Sequence, residues 1–404
     1  MHQPLTSSGW LLDVFLVSGS VDAPCGSARR ARELAGVLAG RGHRVRLVGI
    51  APVPEGERRV AGGAYGSTVL YGGLPPVAPP APRSRLNLLA RGRRRAHERG
   101  MREKAGELSA LFAGSGGDGV VVVLEGWALE WVALADTAGM PVVLVSQEAF
   151  AATKTGARFR RLRWLCRSGV DRVLAPTRQD ADWWVLNWLN NVGVMPPVVV
   201  PVGAPVVTPG ADAGAGRRGT CVVSLGRLDH DKGIDILLDA WALLAPRHPA
   251  WRLRVYGEAG GGAAPGRARE DALHKHCAEL GIAASVEWAG YVEDAAQAWR
   301  EGAFFVLPSR QEGFPLAPLE AMGAGLPCVA FDVSPGVREI VTDEVDGLLV
   351  RPGNLDELAQ KMERLMVEEE LRERLGEAAR GVVGRYAPEV VGERWEELFA
   401  LLRR

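Results

Sequence analysis

Short apolar runs rich in valine, leucine and isoleucine alternate along the chain with longer stretches in which apolar residues recur every three to four positions. The short runs have the length and β-branched character of strands buried on both faces, and the longer ones have the period of amphipathic helices. In the first half the strand pattern falls on LLDVFLV (11–17), HRVRLVGI (43–50), VVVVLE (120–125), PVVLVS (141–146), DRVLAP (171–176) and VVVP (198–201). A helix is predicted over 28–39 and stopped by Gly40 and Gly42, since glycine ends helices at little conformational cost. In the second half the strand pattern returns at TCVVSLG (220–226), WRLRVYG (251–257), SVEWAGY (285–291), AFFVLPS (303–309), PCVAFD (327–332) and GLLV (347–350). Strand and helix in strict alternation predict parallel α/β sheets rather than sandwiches or bundles.

From Pro201 periodicity vanishes into PVGAPVVTPGADAGAGRRG, a stretch of glycine, alanine and proline that reads as a linker. Taking 204–219 as that linker leaves an N-terminal domain over 1–203 and a C-terminal one over 220–386. The expected fold class is therefore α/β, two Rossmann-like doubly wound parallel-sheet domains facing each other across a cleft. In the closing segment, Val390, Val391, Trp395, Leu398, Leu401 and Leu402 lie at helical spacing over 387–404.

Composition narrows the class. The chain has 404 residues, 47% apolar and 24% charged, as in ordinary soluble globular proteins. Each predicted domain can bury a core without disulfides or a structural metal. Five scattered cysteines, Cys25, Cys166, Cys221, Cys277 and Cys328, lack any CxxC spacing and read as reduced thiols without a zinc site. No apolar run reaches the length of a membrane span, the nearest being interrupted by Glu125, Glu130 and Asp136, and Asp13 breaks the only apolar stretch near the N-terminus. A cytoplasmic location is expected. The 48 basic and 48 acidic residues cancel, which removes any case for a nucleic-acid partner from overall charge, but the first 216 residues carry a net +8 and the remainder −8. Two basic runs contribute to this, 78–104 and 154–172. They are compatible with docking on an anionic membrane, peripheral to its inner face, and equally with solvated helix faces.

Two segments concentrate charge where open α/β sheets bind ligands, between the C-terminal end of a strand and the next helix. The first is EGFPLAPLE, 312–320. Pro318 is tolerated only in a first helical turn, so a helix is expected to start near Ala317 with Glu320 in that turn. Its free N–H groups would face Gly313, Phe314, Pro315 and Leu316, an arrangement that suits a phosphate, and Glu312 and Glu320 could reach hydroxyl groups on either side. The second is GRLDHDKG, 226–233, which offers the planar fork of Arg227 and the mobile charge of Lys232, two ways to neutralise a diphosphate. Either motif alone reads more readily as surface charge, the first as acids that complement a helix dipole and the second as solvated cations of a loop. Their joint order inside one predicted domain does not.

With these motifs the chain resembles glycosyltransferase family 4, retaining enzymes of the GT-B fold. The resemblance spans PCGSARRARELAGVLAGRGHRVRLV, SLGRLDHDKGIDILLDAWALL, WRLRVYGE, VEWAGYV, PSRQEGFPLAPLEAMGAGLPCVAFDVSPGVREIV and DGLLVRPGN. It implies a hexosyl or other glycosyl transfer from a nucleotide-sugar, UDP-sugar by default, to a hydroxyl of a carbohydrate or lipid-linked acceptor, as in polysaccharide biosynthesis. On this resemblance Arg227 and Lys232 bind the diphosphate, amides over 314–316 hold the β-phosphate and sugar, and Glu320 binds the ribose. Glu312 lies beside the donor sugar, Val292 touches the base, and Gly26 closes over the phosphates from the acceptor-binding N-terminal domain, which the C-terminal helix 387–404 rejoins. Many relatives place a histidine near the acceptor where this chain has Gln147 and Glu148; Glu148 is the residue there able to accept a proton, and a capping carboxylate is the alternative.

No cofactor is implied, and no divalent metal. Asp229 and Asp231 have metal-binding spacing, but they stand between Arg227 and Lys232, which already supply positive charge. Retention could arise by same-face attack assisted by the leaving phosphate or through a covalent intermediate on a carboxylate; same-face attack is favoured, because the family shows no reliably placed nucleophile. The competing functions are another nucleotide-sugar enzyme, an epimerase or a phosphorylase, and a catalytically silent nucleotide-sugar-binding protein.

Overall fold

The structure is a computed structural model that describes residues 11–23, 26–53, 64–75, 88–147, 150, 156–187, 189–199, 219–259, 264–292 and 294–403. Glu148, Trp188, Cys25 and the linker 204–218 lie outside the described residues. The chain divides into two compact units, Met1–Val198 with Pro388–Arg404, and Val199–Ala387.

The first unit runs β1 (Asp13–Ser18), α1 (Gly26–Gly40), β2 (Arg44–Gly49), β3 (Gly66–Val69), α2 (Leu88–Ala113), β4 (Gly119–Val123), α3 (Leu129–Val132), β5 (Val142–Val145), α4 (Gly156–Gly169), β6 (Arg172–Ala175), α5 (Arg178–Leu186) and β7 (Val192–Val194). Its strands pair in parallel in the order β3-β2-β1-β4-β5-β6-β7. Central β4, GVVVV, is buried at every position because helices cover both faces of a parallel sheet. One face packs under α2, α4 and α5 through Leu108, Phe112, Phe159, Leu165 and Trp184. The opposite face packs under α1 through Ala31, Leu34 and Leu38. The C-terminal end of α1 closes as the glycines predict: His43 N–H donates to the Leu38 carbonyl at 3.2 Å and Gly42 N–H to Ala39 at 2.9 Å, with Gly42 at φ 96°.

Two features depart from the sequence pattern. Strands β3 and β7, GSTV and VGV, are too short and too poor in apolar residues to stand out, and they form at the sheet edges where one neighbour supplies all the pairing. The predicted strand at 198–201 is not seen at Val198 and Val199; the Val199 N–H instead donates to the carbonyl of Tyr386 at 2.9 Å.

The second unit continues with β8 (Cys221–Leu225), α6 (Ile234–Leu244), β9 (Arg252–Tyr256), α7 (Ala264–Glu279), β10 (Val286–Gly290), α8 (Ala296–Glu301), β11 (Phe304–Leu307), α9 (Leu316–Gly323), β12 (Cys328–Phe331), α10 (Pro335–Ile340), β13 (Gly347–Val350), α11 (Leu355–Val367) and α12 (Glu369–Val382). The sheet is parallel, in the order β10-β9-β8-β11-β12-β13. Trp241, Leu237, Met362 and Leu358 fill one face, and Trp299, Phe314, Met322 and Ile340 the other.

Helix α13 (Pro388–Leu402) packs in the first unit, where Val391, Trp395, Leu398 and Phe399 join the α1 side of the core. Arg41 fixes its rotation by donating to Glu396 at 2.6 Å. Leu401, expected on the apolar face, is 57% exposed, and Phe399 takes its place. Burying the Phe399 ring contributes about 1.5–3 kcal/mol. The thiols of Cys166, Cys277 and Cys328 are buried and their pKa values pushed up by burial, that of Cys166 to about 12, which leaves them unreactive.

His43 links this packing to pH. It is buried before β2, its Nδ1 accepts from the Leu12 N–H at 3.4 Å, its ring meets Phe399 edge-on, and burial lowers its pKa below the ordinary 6.5. Below that ordinary value the unfolded chain takes up a proton that the folded one resists, so the contribution of His43 is intact above pH 6.5 and is lost as pH falls through the depressed folded value. Thermal unfolding scans from neutral to mildly acidic pH are expected to show the midpoint dropping more steeply in the wild type than in His43→Gln. Parallel slopes would remove His43 as the cause.

Candidate functional site

The strand order of the second sheet reverses between β8 and β11, the place where open parallel sheets form a ligand crevice. The loops leaving these two strands carry the two charged motifs. A 3-10 turn, His230–Lys232, ends at Gly233, whose φ of 66° turns the chain into α6. An ideal Cβ at Gly233 would lie 2.0 Å from the carbonyl oxygen of Pro308, so glycine is what lets the first loop touch the second.

Across that contact Lys232 Nζ donates to Glu312 Oε1 at 2.6 Å. Ser309 Oγ donates to the same oxygen at 2.7 Å. The Glu312 side chain is 7% exposed and that of Lys232 24%, so the pair is largely shielded and pre-positioned. Arg310 ties the loops together from outside. Its backbone N–H donates to the Asp231 carbonyl and its guanidinium to the His230 carbonyl, while a two-pronged ion pair holds Asp235 at 2.7 and 2.9 Å. Burial pushes the Asp235 carboxyl up, but the guanidinium groups of Arg310 and Arg269 outweigh it and hold the group below the usual carboxylate range.

The segment Gly313–Leu316 continues into α9, which starts at Leu316, one residue before the position expected from Pro318. No side chain caps this N-terminus. Glu320 is buried, 6% exposed, and lies just beyond the first turn rather than in it. The Phe314 ring anchors the loop from below, packing edge-on against Tyr386 at 5.5 Å. From the side, Ser334 Oγ, which also caps α10, donates to the Gly313 carbonyl at 3.3 Å. A Cβ at Gly336 would sit 1.9 Å from that same oxygen.

The structure thus brings Lys232, Glu312 and the 313–316 loop into one cluster at the ends of β8 and β11, with Glu320 on the helix that follows. Arg227 leaves β8 beside them with its side chain 64% exposed, paired with Asp229 at 3.0 Å. Val292 follows the edge strand β10 and packs partly against the core. Gly26 belongs to the first unit, where it begins α1 with open space around it. Among the described residues no three His, Cys, Asp or Glu side chains gather to hold a metal ion.

Several participants escape a motif reading. Arg310 and Asp235 act through a contact between positions 75 residues apart in sequence, and Ser309 through the bend of its own loop, which turns its hydroxyl onto Glu312 three residues on. Gly336 carries a faint signal in SPG, where a capping serine and a proline at the first helical position announce a helix start. In the first unit the order reverses between β1 and β4, and there Glu125, partly exposed, accepts from the Trp127 indole N–H at 2.7 Å and from Ser18 Oγ at 3.4 Å. The sequence marked it only as an interruption in an apolar run.

Residues 214–382 match the family described as glycosyl transferases group 1. This chain carries a glycosyltransferase domain. Similar proteins include an exopolysaccharide phosphotransferase of Streptomyces coelicolor, 32% identical over 67% of this chain and 27% of the relative. A D-inositol 3-phosphate glycosyltransferase of Frankia alni is 37% identical over 44% of this chain and 43% of its own length. The chain therefore spans about a quarter and under half, respectively, of these two relatives. Among solved structures, Anabaena HepE in complex with UDP and glucose superposes with a TM-score of 0.72 at 18% identity, covering 97% of this chain and all of that one. The two parallel-sheet units and this likeness establish the GT-B, Rossmann-like fold.

Proposed function

We propose that the protein is a retaining glycosyltransferase of family 4 that moves a sugar from a nucleotide-sugar, a UDP-sugar foremost, to a hydroxyl of a carbohydrate acceptor. The observation that carries this reading is the Lys232–Glu312 pair, held at 2.6 Å where the second sheet reverses its order and next to the uncapped start of α9, inside the glycosyltransferase domain. A departing nucleoside diphosphate needs positive charge that is already in place when the glycosidic C–O bond breaks, because fixed charge costs no reorganisation in the transition state. Lys232 supplies it next to the helix dipole, and Arg227 adds a mobile fork.

Lys232 has three N–H donors, of which one holds Glu312 and two are left for phosphate oxygens. Glu312 places its second oxygen beside the sugar, the backbone N–H groups of Phe314 and Leu316 take the β-phosphate, Pro315 between them having none, and Glu320 takes ribose hydroxyls. Val292 bounds the base. In same-face attack the acceptor oxygen bonds the anomeric carbon as the C–O bond to phosphate breaks, and the acceptor proton passes to the departing phosphate oxygen. The positive charge that Lys232 and Arg227 set against the diphosphate makes the step feasible without a protein nucleophile or a bound metal. Glu148, and Glu125 as oriented by Trp127 and Ser18, are the carboxylates of the first unit suited to accept hydrogen bonds from acceptor hydroxyls. Support for uridine as the base is the HepE structure, which holds UDP.

A thermal-shift screen of UDP-, GDP- and ADP-sugars, repeated with chelator, tests the reading together with slow hydrolysis of the labelled donor. A UDP-sugar is expected to raise the unfolding temperature, by an amount corresponding to about 2.7 kcal/mol at a hundredfold excess over Kd, with hydrolysis unaffected by chelator. No shift with any nucleotide-sugar would sink the proposal. Hydrolysis abolished by chelator and restored by manganese would overturn its metal-free part.

A further inference from the structure

Helix α4, GARFRRLRWLCRSG, contains five arginines and no acidic residue. Its inner side packs into the first unit through Phe159, Leu165 and Cys166. Arg160, Arg161, Trp164 and Arg167 are exposed, at spacings of one, three and three residues, and so share one outward stripe. Trp164 is 57% exposed, and the Arg161 guanidinium lies over its ring at 4.8 Å. Large aromatics are usually withdrawn from water, and one set among cations on a helix surface has its indole where a bilayer interface would receive it.

The neighbouring helix extends this surface. Met101, Leu108 and Phe112 of α2 pack into the same core and over the same sheet face as α4, so the two helices belong to one outer layer. Exposed arginines of α2, including Arg95 and Arg99, add to the positive layer, whereas the sheet's opposite face is covered by α1 and α13. Neither the proposed donor cluster nor any ion pair among the described residues makes use of this stripe. No described helix is long and apolar enough to cross a membrane, so any lipid contact must be made by a folded surface.

We infer that the outer layer formed by α4 and α2 docks on an anionic lipid bilayer, with Trp164 seated at the headgroup level and Arg160, Arg161 and Arg167 against lipid phosphates. Charge chooses the membrane and the indole fixes the depth. An anionic polysaccharide would also engage the arginines and could stack a sugar face on the Trp164 indole; the bilayer is the occupant favoured because Trp164 stands on the outward stripe of a helix, where a flat interface reaches it, rather than in a concave site of the kind that holds a soluble ligand. The inference does not depend on the proposed reaction.

Vesicle co-sedimentation of the full chain decides it, using phosphatidylcholine vesicles with and without about one third phosphatidylglycerol. Binding to the anionic vesicles alone is expected, falling at least about tenfold between ~0.1 M and ~0.5 M salt as screening tightens. The triple variant Arg160→Gln, Arg161→Gln, Arg167→Gln and the single variant Trp164→Ala should each lose about tenfold or more. Removing three exposed arginines from the second unit, Arg300→Gln, Arg351→Gln and Arg374→Gln, should leave binding unchanged, which separates the patch from net charge. Circular dichroism checks that each variant is folded. No binding to anionic vesicles, equal binding to neutral ones, wild-type binding by the triple variant, or capture by soluble heparin in preference to vesicles would each overturn the inference.

Discussion

Lys232→Ala is expected to lower kcat/KM by about a hundredfold or more, since removing one pre-positioned donor from developing negative charge costs about 2.7–4 kcal/mol. The same change leaves Glu312, 7% exposed, with Ser309 as its remaining partner. A shielded carboxylate that loses its cation destabilises the fold by on the order of 1–3 kcal/mol, because the charge has already been withdrawn from water. The outcome should therefore be a folded protein with a lower unfolding temperature, near-zero turnover and no thermal response to nucleoside diphosphate. Glu312→Gln separates the two effects. It keeps a polar partner for Ser309 and releases Lys232 to the phosphate, so stability should move little while turnover falls for want of the carboxylate beside the sugar. Turnover within a few-fold of wild type in Lys232→Ala would show that the cluster is structural and that the donor lies elsewhere.

The second large effect concerns a residue that touches no ligand in the proposed reaction. Gly336→Ala would place a methyl group 1.9 Å from the Gly313 carbonyl oxygen and 2.9 Å from the Phe314 Cα. Both neighbours are backbone, so no side-chain rotation relieves the overlap. Phe314 cannot retreat, because its ring is locked against Tyr386. The segment 313–316 must shift instead, at an overpacking cost of about 1–3 kcal/mol, which for a unit of this size is a drop of several degrees in unfolding temperature. In the proposed donor site, displacing the amides at the start of α9 by even a fraction of an ångström would misalign them with the β-phosphate. Nucleotide affinity, measured by calorimetry, is expected to fall at least about tenfold even under conditions where the variant is fully folded. Wild-type affinity in a folded Gly336→Ala protein would show that the loop is not the phosphate cradle.

Much of this architecture could be read in the chain before any coordinate. The β-branched runs and their alternation with 3.6-period stretches foretold two parallel sheets, because strands buried on both faces have few other compositions open to them. Pro318 placed the start of α9 within one residue, since the missing N–H of proline is harmless only in a first turn. Strands β3 and β7 could not be seen, because an edge strand is made by its neighbour's hydrogen bonds rather than by its own side chains.

What the sequence by itself determined is which residues stand at strand ends: Arg227 and Lys232 after one, Glu312 and the glycine-containing loop after another. Which strand ends are neighbours was decided by the tertiary structure alone. The pairing of β8 with β11 sets Lys232 against Glu312 across 80 positions, and the Gly233 and Gly336 contacts admit the backbone of one loop against another. Arg310 with Asp235 then fixes the distance between them. Local pattern is written by backbone geometry and side-chain hydrophobicity over a few residues. Non-local contact is chosen by which packing buries both sheet faces at once, and that choice exists only when the whole chain is folded.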